Sequence, residues 1–494
     1  MRAKRSILTY FTQSTSSIIL MILSFCATPF ILDAVGKTVY GQYRLLLEYI
    51  GYFGLLEFGL YSTTRILVSE SLTQSKEKVL SVIQYSFIQF IITSLISLIS
   101  LWTLYYFKAY ISQINQISDD QLLPIALYIS LIFTLLPITT LKAKMEAEQK
   151  GYLTETASFI NKALNILLII IFVFIKIELH TFFLVLFISH LASHIFIFLK
   201  SDISLSDIFK PQLSVNKGTT RSDIFLFDLA GKINLSSDSI ILSWFVNIEM
   251  VTIFYLSQRL VGIVSSFIFG ISNALWPALS NMYFNKEWDN LRKQILFSTR
   301  LSSYVALFFL IPILYLNSPF ISLWVGKEFQ AGTTFNIIIV LNCFIQSLMS
   351  LWGWLISSTN NTQLARKNLI LSTISNLTLS IIFTKVLGLI GPILGTLVTS
   401  ISITLIINIF ILKKLFKITV KELLRSSTPS FIYLLINIIL YYFFFPHEAI
   451  LSPLNFIFSG FFITFSSALI SFYLLLDTTD RTYLINKLGS LRDR

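Results

Sequence analysis

Four basic residues lie within long apolar stretches of the sequence, where polar neighbours recur at helical spacing. They are Arg44, Lys162, Lys232 and Arg259. A charge in hydrocarbon costs at least ~2.5–3.5 kcal/mol on insertion scales, so we expect these side chains to face a protein interior or a water-filled cavity. Because cationic side chains attract anions, the pattern predicts a cavity that accepts a polyanionic ligand.

The polar neighbours form stripes, since residues at i, i+3, i+4 and i+7 share one face of a helix. The stripes contain, in chain order, Arg44 and Glu48; Glu155, Ser158, Lys162 and Asn165; Asp228, Lys232, Ser236, Ser239 and Ser243, flanked by Asp238; and Thr252, Tyr255, Arg259, Gly262, Ser266, Gly270 and Asn273. We predict that five of these side chains line the cavity wall: Ser236, Ser239, Thr252, Tyr255 and Asn273.

Acidic residues beside the basic ones provide a way to couple transport to an ion gradient. The candidates are Glu48, Glu155, Asp228 and Asp238. Protonation of one carboxylate would leave this nearly neutral set positive, so H+ or Na+ could drive an anionic cargo without any cofactor. A simpler interpretation stays open. Asp228 with Lys232, and Arg44 with Glu48, are also i,i+4 pairs that can neutralise each other between packed helices.

Other residues that could do chemistry give no such pattern. Arg300 lies at the end of a predicted helix, from which its side chain can reach lipid headgroups. His190 and His194 are four apart, but no third metal ligand accompanies them. Residues 36–38, Gly-Lys-Thr, resemble the end of a phosphate-binding loop, but the glycine that begins such a loop is absent five residues before them. The two cysteines both lie in apolar stretches, which indicates neither a disulfide framework nor a thiolate metal site.

The elements that position these residues are membrane helices. The chain has 494 residues, of which 55% are hydrophobic and 13% charged, with a mean hydropathy of +0.76; soluble domains carry about 25% charged residues. With about 20 apolar residues per crossing, we predict an all-α polytopic membrane protein. Its fourteen predicted helices cover residues 12–32, 39–63, 79–107, 122–141, 152–175, 180–199, 224–245, 248–276, 297–316, 333–357, 368–386, 389–412, 429–445 and 454–476.

The distribution of lysine and arginine predicts the orientation. If the amino terminus is cytoplasmic, the inside segments hold 27 of the 37 basic residues and the outside segments hold five. Both termini are therefore predicted to be cytoplasmic. The net charge of +12 is dispersed from loop to loop, whereas nucleic-acid binding needs a contiguous basic patch. We expect no nucleic-acid partner.

Short loops argue against an enzyme. The longest predicted outer loops, near 108–121 and 317–332, have only about fifteen residues each. A membrane enzyme acting on lipid-linked sugars is expected to place paired carboxylates or histidine in larger segments outside the membrane. The sequence therefore favours a transporter, with such an enzyme as a weaker alternative.

Three segments carry a resemblance to a known family. The first comprises residues 29–32, Gly36, residues 40–43, Tyr52 and residues 55–60; the second runs from Asp238 to Leu242 and from Tyr255 to Leu260; the third comprises residues 388–392, Gly395 and Thr396. These resemble the polysaccharide-biosynthesis membrane proteins, the O-antigen-type (Wzx-like) flippases of lipid-linked oligosaccharides. That family belongs to the multidrug/oligosaccharidyl-lipid/polysaccharide (MOP) exporter superfamily.

The resemblance implies an architecture. Helices 1–6, in residues 1–199, and helices 7–12, in residues 224–412, would form two pseudo-symmetric six-helix lobes around a central cavity. Residues 200–223 would be a cytoplasmic linker. Residues 413–494 would add a C-terminal helix pair and a cytoplasmic tail.

The resemblance also implies a cargo and a place. The protein would flip an undecaprenyl-diphosphate-linked oligosaccharide, such as an O-antigen or capsule repeat unit, across a bacterial inner membrane. Membrane lipids and a polysaccharide polymerase would be its partners. Arg44, Lys162, Lys232 and Arg259 would hold the diphosphate, and the five wall residues would contact sugar. The main alternative is an ion-coupled exporter of drugs or organic cations on the same fold.

Overall fold

The computed structural model of the chain describes residues 2–53, 59–72, 74–107, 119–175, 179–208, 221–357, 362–445, 452–482 and 485–486. These residues are almost entirely helical, so the fold class is all-α, as predicted. The helices are α1 Arg2–Phe53, α2 Leu60–Ser71, α3 Lys76–Tyr106, α4 Asp119–Thr134, α5 Thr139–Ala147, α6 Gly151–Ile175, α7 Leu179–Lys200, α8 Leu205–Ile208, α9 Arg221–Phe245, α10 Ile248–Ser257, α11 Arg259–Phe284, α12 Trp288–Trp324, α13 Thr333–Ser357, α14 Thr362–Leu387, α15 Gly391–Thr399, α16 Ile406–Phe416, α17 Val420–Phe444 and α18 Pro453–Leu475.

The chain is a multi-pass membrane protein. Within the described residues, nine helical stretches are long and apolar enough to cross a membrane, or ten if the bent pair α10 and α11 counts as one span. Two of these, Phe11–Tyr49 and Lys367–Phe416, each cover two of the predicted helices. The predicted helices at 180–199 and 224–245 are α7 and α9. Each of the fourteen predicted segments is therefore mostly helical among the residues that the structure describes.

Several predicted boundaries are wrong by a turn or more, each for a local reason. Gly36 has φ 75° and ψ 174°, and this interrupts α1 between its two predicted helices. The second of those is helical as far as Phe53, the last residue described before Gly59, and α2 begins after Gly59, whose φ is 67°. The predicted helix 297–316 is longer, because α12 extends from Trp288 to Trp324.

The chain divides into two compact units, Met1–Lys232 and Ile233–Arg494. In the first unit, α1 packs along α6, and α6 along α7. One of its buried clusters joins Tyr128 and Phe133 of α4 to Phe183 and Leu186 of α7. The predicted domain boundaries at 199, 223 and 412 stay a prediction.

The core of the second unit surrounds α12 and α13, with buried residues such as Leu310, Leu314 and Phe344. Two glycines bring α14 and α15 into backbone contact. A Cβ on Gly391 would overlap the backbone of Thr384, and one on Gly395 would overlap the backbone of Ser380. Only glycine fits at these two positions.

Large apolar side chains remain exposed on the outer helices, as expected for contact with lipid rather than water. On α18, Phe458, Phe461 and Phe462 are each at least 66% exposed. Two polar residues of this helix, Ser467 and Ser471, are buried. This inverted amphipathicity is typical of a membrane helix at the rim of a bundle.

Candidate functional site

The first part of the candidate site lies on the second half of α1 and on α6. Arg44 and Glu48 are half-buried on α1. The hydroxyl of Tyr43, next to Arg44, donates a hydrogen bond to Asn165 Oδ1 of α6 at 3.3 Å. Asn165 is one turn from Lys162, whose side chain is exposed, whereas Glu155 is half-buried. The first two polar stripes therefore adjoin each other in the first unit.

A buried polar cluster, not expected from sequence, lies beside this pair of stripes. His190 Nε2 of α7 is 3.1 Å from the hydroxyl of Tyr128 on α4. Its Nδ1 is 3.1 Å from Asn161 Nδ2 of α6. Ser189 Oγ donates to Asn161 Oδ1 at 3.1 Å. Both ring nitrogens are thus engaged in hydrogen bonds, which supports the interpretation that this histidine pair is no metal site.

In the second unit, the helix that carries Arg259 is broken. The axes of α10 and α11 differ by 52°, and Arg259 is the first residue of α11. Its guanidinium donates a hydrogen bond to the Tyr255 hydroxyl and lies 5.4 Å from the centre of that ring. Thr252, one turn before Tyr255 on α10, is fully buried and therefore packs within the bundle.

The break is held by an asparagine from α12. Asn317 Nδ2 donates to the carbonyl of Ser257 at 2.9 Å and to Asn336 Oδ1, also at 2.9 Å. Asn336 Nδ2 in turn donates to Ser318 Oγ at 2.6 Å. The start of a helix carries partial positive charge from its free N–H groups. The carboxyl end of α10, which only Gln258 separates from α11, carries the opposite partial charge. The positive character of the break therefore comes mainly from the Arg259 guanidinium.

Two predicted site residues of α9 are described, and both are half-buried: Asp238 and Ser239. Asp238 Oδ1 is buried and accepts no hydrogen bond from the residues that the structure describes. One turn before it, Asn234 Nδ2 donates to Thr373 Oγ1 of α14 at 3.0 Å. The side chains of four other predicted residues lie outside the described part: Asp228, Lys232, Ser236 and Asn273.

Neutral oxygens cluster further along α14. Asn376 Nδ2 donates to Thr396 Oγ1 of α15 at 3.2 Å. Ser380 Oγ donates to Asn376 Oδ1 at 2.9 Å and to the carbonyl of Pro392 at 3.2 Å. Carbonyl, hydroxyl and carboxylate oxygens are suitable ligands for a small cation. The polar stripes predicted from the sequence do not include this cluster, because each of them was built around a charged residue within an apolar helix.

Comparison with known proteins gives the fold a name. No family profile matches the sequence, and no curated protein matches it. A structure of the lipid II flippase MurJ, in an inward closed conformation, is similar, with a TM-score of 0.67 and 15% identity over 93% of this chain and 98% of that one. The chain has the MOP-superfamily fold.

Two MATE transporters share the fold at comparable similarity. An inward-facing multidrug resistance MATE family transporter of the MOP superfamily gives a TM-score of 0.63 and 17% identity, over 80% of this chain and 95% of that one. The Vibrio cholerae MATE transporter VcmN gives 0.58 and 14%, over 85% and 98%. The MOP fold that the sequence motifs implied is therefore confirmed.

Outside the candidate site, ion pairs join helix ends of the MOP fold. Arg300 was expected to reach lipid headgroups, but its Nε lies 2.6 Å from Asp480 Oδ2 and its Nη2 3.1 Å from Asp480 Oδ1. The residues after α18 supply this partner. Arg292 of α12 likewise pairs with Glu422 of α17.

A second ion-pair group lies between α5 and α6. Glu148 is 2.9 Å from both Lys144 Nζ and Lys150 Nζ, and Lys150 also contacts Asp202 at 2.8 Å. Burial alone would raise the pKa of Glu148, but the hydrogen bonds from the two lysines outweigh burial and lower it. The hydrogen bond from Lys150 also lowers the pKa of Asp202.

Proposed function

We propose that this chain is a flippase that moves an undecaprenyl-diphosphate-linked oligosaccharide, such as an O-antigen or capsule repeat unit, from the cytoplasmic to the outer leaflet by alternating access. Such a cargo cannot cross a bilayer alone, because its diphosphate and its sugar hydroxyls would lose their water in hydrocarbon. A transporter must replace that water with cations and hydrogen-bonding groups.

One observation carries the proposal: Arg259 lies at the first turn of α11, at the break from α10. A half-helix amino terminus and a guanidinium together bind an anion better than either does alone. The Tyr255 hydroxyl holds the guanidinium in place, which limits the side-chain entropy lost when a ligand binds. Arg44, Lys162 and Lys232 would supply further positive charge to the diphosphate.

The fold supports the same cargo class. The similar structures include a flippase of lipid II, whose name gives a lipid as its cargo. On this chain, polar groups such as Ser239 and Tyr255 would contact the sugar while the polyprenyl tail stays in the bilayer. Ser236 and Asn273 would complete the sugar contacts, whereas the fully buried Thr252 would support the wall from behind.

Asp238 is the candidate for coupling to H+ or Na+. Its Oδ1 is buried, and one turn earlier the Asn234–Thr373 hydrogen bond joins α9 to α14. A cation there would neutralise the carboxylate, and its binding energy could bias the equilibrium between two conformations. Glu48, Glu155 and Asp228 remain further candidates for this role.

A second function is favoured by the likeness to MATE transporters, which would make the chain an exporter of organic cations. Sites for such cargo are built from acidic and aromatic groups. The basic residues of the candidate site argue for an anionic cargo instead.

Complementation tests the proposal. The host lacks its own flippase and carries the sugar-synthesis genes that accompany this chain, and it expresses wild type, Arg44→Ala, Lys232→Ala or Arg259→Ala at equal membrane levels. Arg425→Ala is the matched control, because Arg425 is exposed at the start of α17. We expect wild type and control to restore surface polysaccharide and the three variants to fail. Restoration by all variants, or by none of the proteins, would reject the cargo, and drug efflux would then be assayed.

A further inference from the structure

The cluster of Tyr128, Asn161, Ser189 and His190 joins three helices of the first unit around one titratable ring. Tyr128 is 2% exposed and Ser189 is fully buried. Among side chains, imidazole is the one whose unperturbed pKa lies nearest neutral pH. The groups of the preceding proposal do not include it.

The hydrogen bonds of the cluster fit the neutral ring. Asn161 donates to Nδ1, so Nδ1 carries no proton and Nε2–H donates to the Tyr128 oxygen. Ser189 can donate either to Asn161 Oδ1 or to the carbonyl of Leu186, at 2.7 Å. Both ring nitrogens, the Asn161 amide and the Ser189 hydroxyl therefore have hydrogen-bond partners in this state, and the Tyr128 oxygen accepts one hydrogen bond.

The same groups also fit the protonated ring. Rotation of the Asn161 amide by half a turn would bring Oδ1 to a protonated Nδ1 and Nδ2 to Ser189. Ser189 would then donate to Leu186, and Tyr128 would still accept from Nε2–H. Since both ends of an amide have the same size, the exchange needs no repacking. No buried group loses its partner in either state, which keeps the cost of switching low.

Titratable and charged groups on the neighbouring helices interact electrostatically with the His190 ring or with the residues that contact it. His194 of the same helix interacts electrostatically with His190, and Lys142 of α5 acts on His194. On the α4 side, Tyr43 of α1 acts on Tyr128. On α6, Asn161 faces the ring, while Lys162 is exposed. These neighbours are neutral or cationic, so an added anion would favour the protonated ring.

We propose that His190 is a proton-binding site whose occupancy is linked to anion binding beside Arg44. The connection runs along α6, because Asn161, which contacts the ring, lies one turn from Asn165, which binds Tyr43. A dianion near Arg44 stabilises imidazolium, and by reciprocity a proton on His190 strengthens anion binding. This inference rests on the proposed function for its anionic ligand.

The test measures proton uptake when geranyl diphosphate binds to the full chain in nanodiscs, by calorimetry at pH 6 in buffers of different ionisation enthalpy. We expect wild type to take up a fraction of a proton and to bind about tenfold more tightly at pH 6 than at pH 8. His190→Gln should abolish the uptake and reduce this ratio to below about twofold. His194→Gln is the matched control for the loss of a neighbouring histidine and should keep most of the uptake, because His194 makes no hydrogen bond to the His190 ring among the described contacts and its Nδ1 lies 2.8 Å from the His190 carbonyl.

Tyr128→Phe provides a second variant that keeps the ring and removes its Nε2 partner, and we expect it to weaken the uptake. The inference is overturned if wild type binds geranyl diphosphate without taking up a proton. It is also overturned if His190→Gln takes up a proton as wild type does. In both cases the proposed function stands. If wild type binds no diphosphate, the proposed function fails. In that case NMR of the His190 ring tests the proton site by itself. A ring that stays neutral from pH 5 to pH 8 overturns the site, and a ring that becomes protonated in this range supports it.

Discussion

At the scale of single residues, the pair of Tyr255 and Arg259 shows how the chain holds a cation inside an apolar helix. The tyrosine lies four residues before the arginine, so both side chains are on one face. The hydroxyl accepts a hydrogen bond and the ring face contacts the guanidinium. The tyrosine therefore orients the arginine at the start of α11.

Tyr255→Phe tests this orientation. The change removes the hydroxyl and keeps the ring, so we expect geranyl diphosphate to bind about 5–20-fold more weakly, the equivalent of about 1–2 kcal/mol for one hydrogen bond to a charged group. The dissociation constant is measured in nanodiscs, with Tyr283→Phe, in the last turn of α11, as control. Equal affinity of Tyr255→Phe and wild type would show that Arg259 needs no such support.

The ion pairs around Glu148 predict a pH dependence of stability. The lysine hydrogen bonds lower the pKa of this carboxylate in the folded state, so its contribution is complete above about pH 4.5, near the value in the unfolded chain, and is lost as the pH falls through the lower folded value. Glu148→Gln should therefore lower the melting temperature at pH 7, by the equivalent of about 1–2 kcal/mol. The difference should shrink below pH 4.5.

Melting curves in detergent from pH 3 to pH 8 measure this difference. Glu77→Gln, at an exposed position of α3, is the control and should show little change at any pH. A constant deficit for Glu148→Gln across the whole range would mean that the glutamine disturbs packing rather than charge.

At the scale of elements, two sets of glycines that look alike in sequence play different parts. A Cβ on Gly391 or Gly395 would overlap the backbone of α14, whereas no described heavy atom lies within 4 Å of a Cβ on Gly262 or Gly270. Only the first pair brings two helices into backbone contact.

Alanine substitution separates the two sets. We expect Gly391→Ala or Gly395→Ala to destabilise the protein by at least about 1–3 kcal/mol, because α14 and α15 must move apart. Gly262→Ala should be neutral or stabilising by up to about 1 kcal/mol, since alanine favours the helix. Thermal denaturation of the detergent-solubilised variants measures both, and equal melting temperatures would contradict the close packing.

The break between α10 and α11 depends on Asn317, which donates to the Ser257 carbonyl. Asn317→Leu removes this hydrogen bond and leaves the carbonyl without its partner, so we expect a loss of about 1–3 kcal/mol in stability and weaker diphosphate binding because Arg259 moves. Asn281→Leu, at an exposed position, is the control. If a folded Asn317→Leu protein binds diphosphate as wild type does, the hydrogen bond at the break is not needed for anion binding at Arg259.

The same elements show what sequence can and cannot predict. Apolar runs identified all fourteen helical segments, because burial in lipid requires long uninterrupted helices. They missed the ends of α12, which lies between positive-φ residues at Lys286 and Gly326. They also missed the break at Gln258, which a hydrogen bond from Asn317 of α12 supports. Arg300 pairs with Asp480, 180 positions away, and His190 with Tyr128, 62 positions away. Periodicity within one helix contains no information about such partners.

At the scale of the whole molecule, the basic residues set the orientation in the membrane. We predict that both termini face the cytoplasm and that the segment near Gly332 faces outward. A green fluorescent protein fused to the C-terminus should fluoresce. Alkaline phosphatase should be active when fused after Gly332 and inactive after Glu287. The opposite activities would reverse the topology and, with it, the proposed direction of transport.

The central claim is that the chain itself moves a polyprenyl-diphosphate-linked oligosaccharide across a bilayer, and transport in proteoliposomes tests it most directly. The purified protein is reconstituted with a fluorescent lipid of this class, and the fraction that reaches the opposite leaflet is followed by chemical quenching. We predict rapid translocation by wild type and Arg425→Ala, and a loss of about 10–100-fold in Arg259→Ala, as expected for 1.5–3 kcal/mol from a charged hydrogen bond. No translocation by wild type, or equal rates for wild type and Arg259→Ala, would contradict the account.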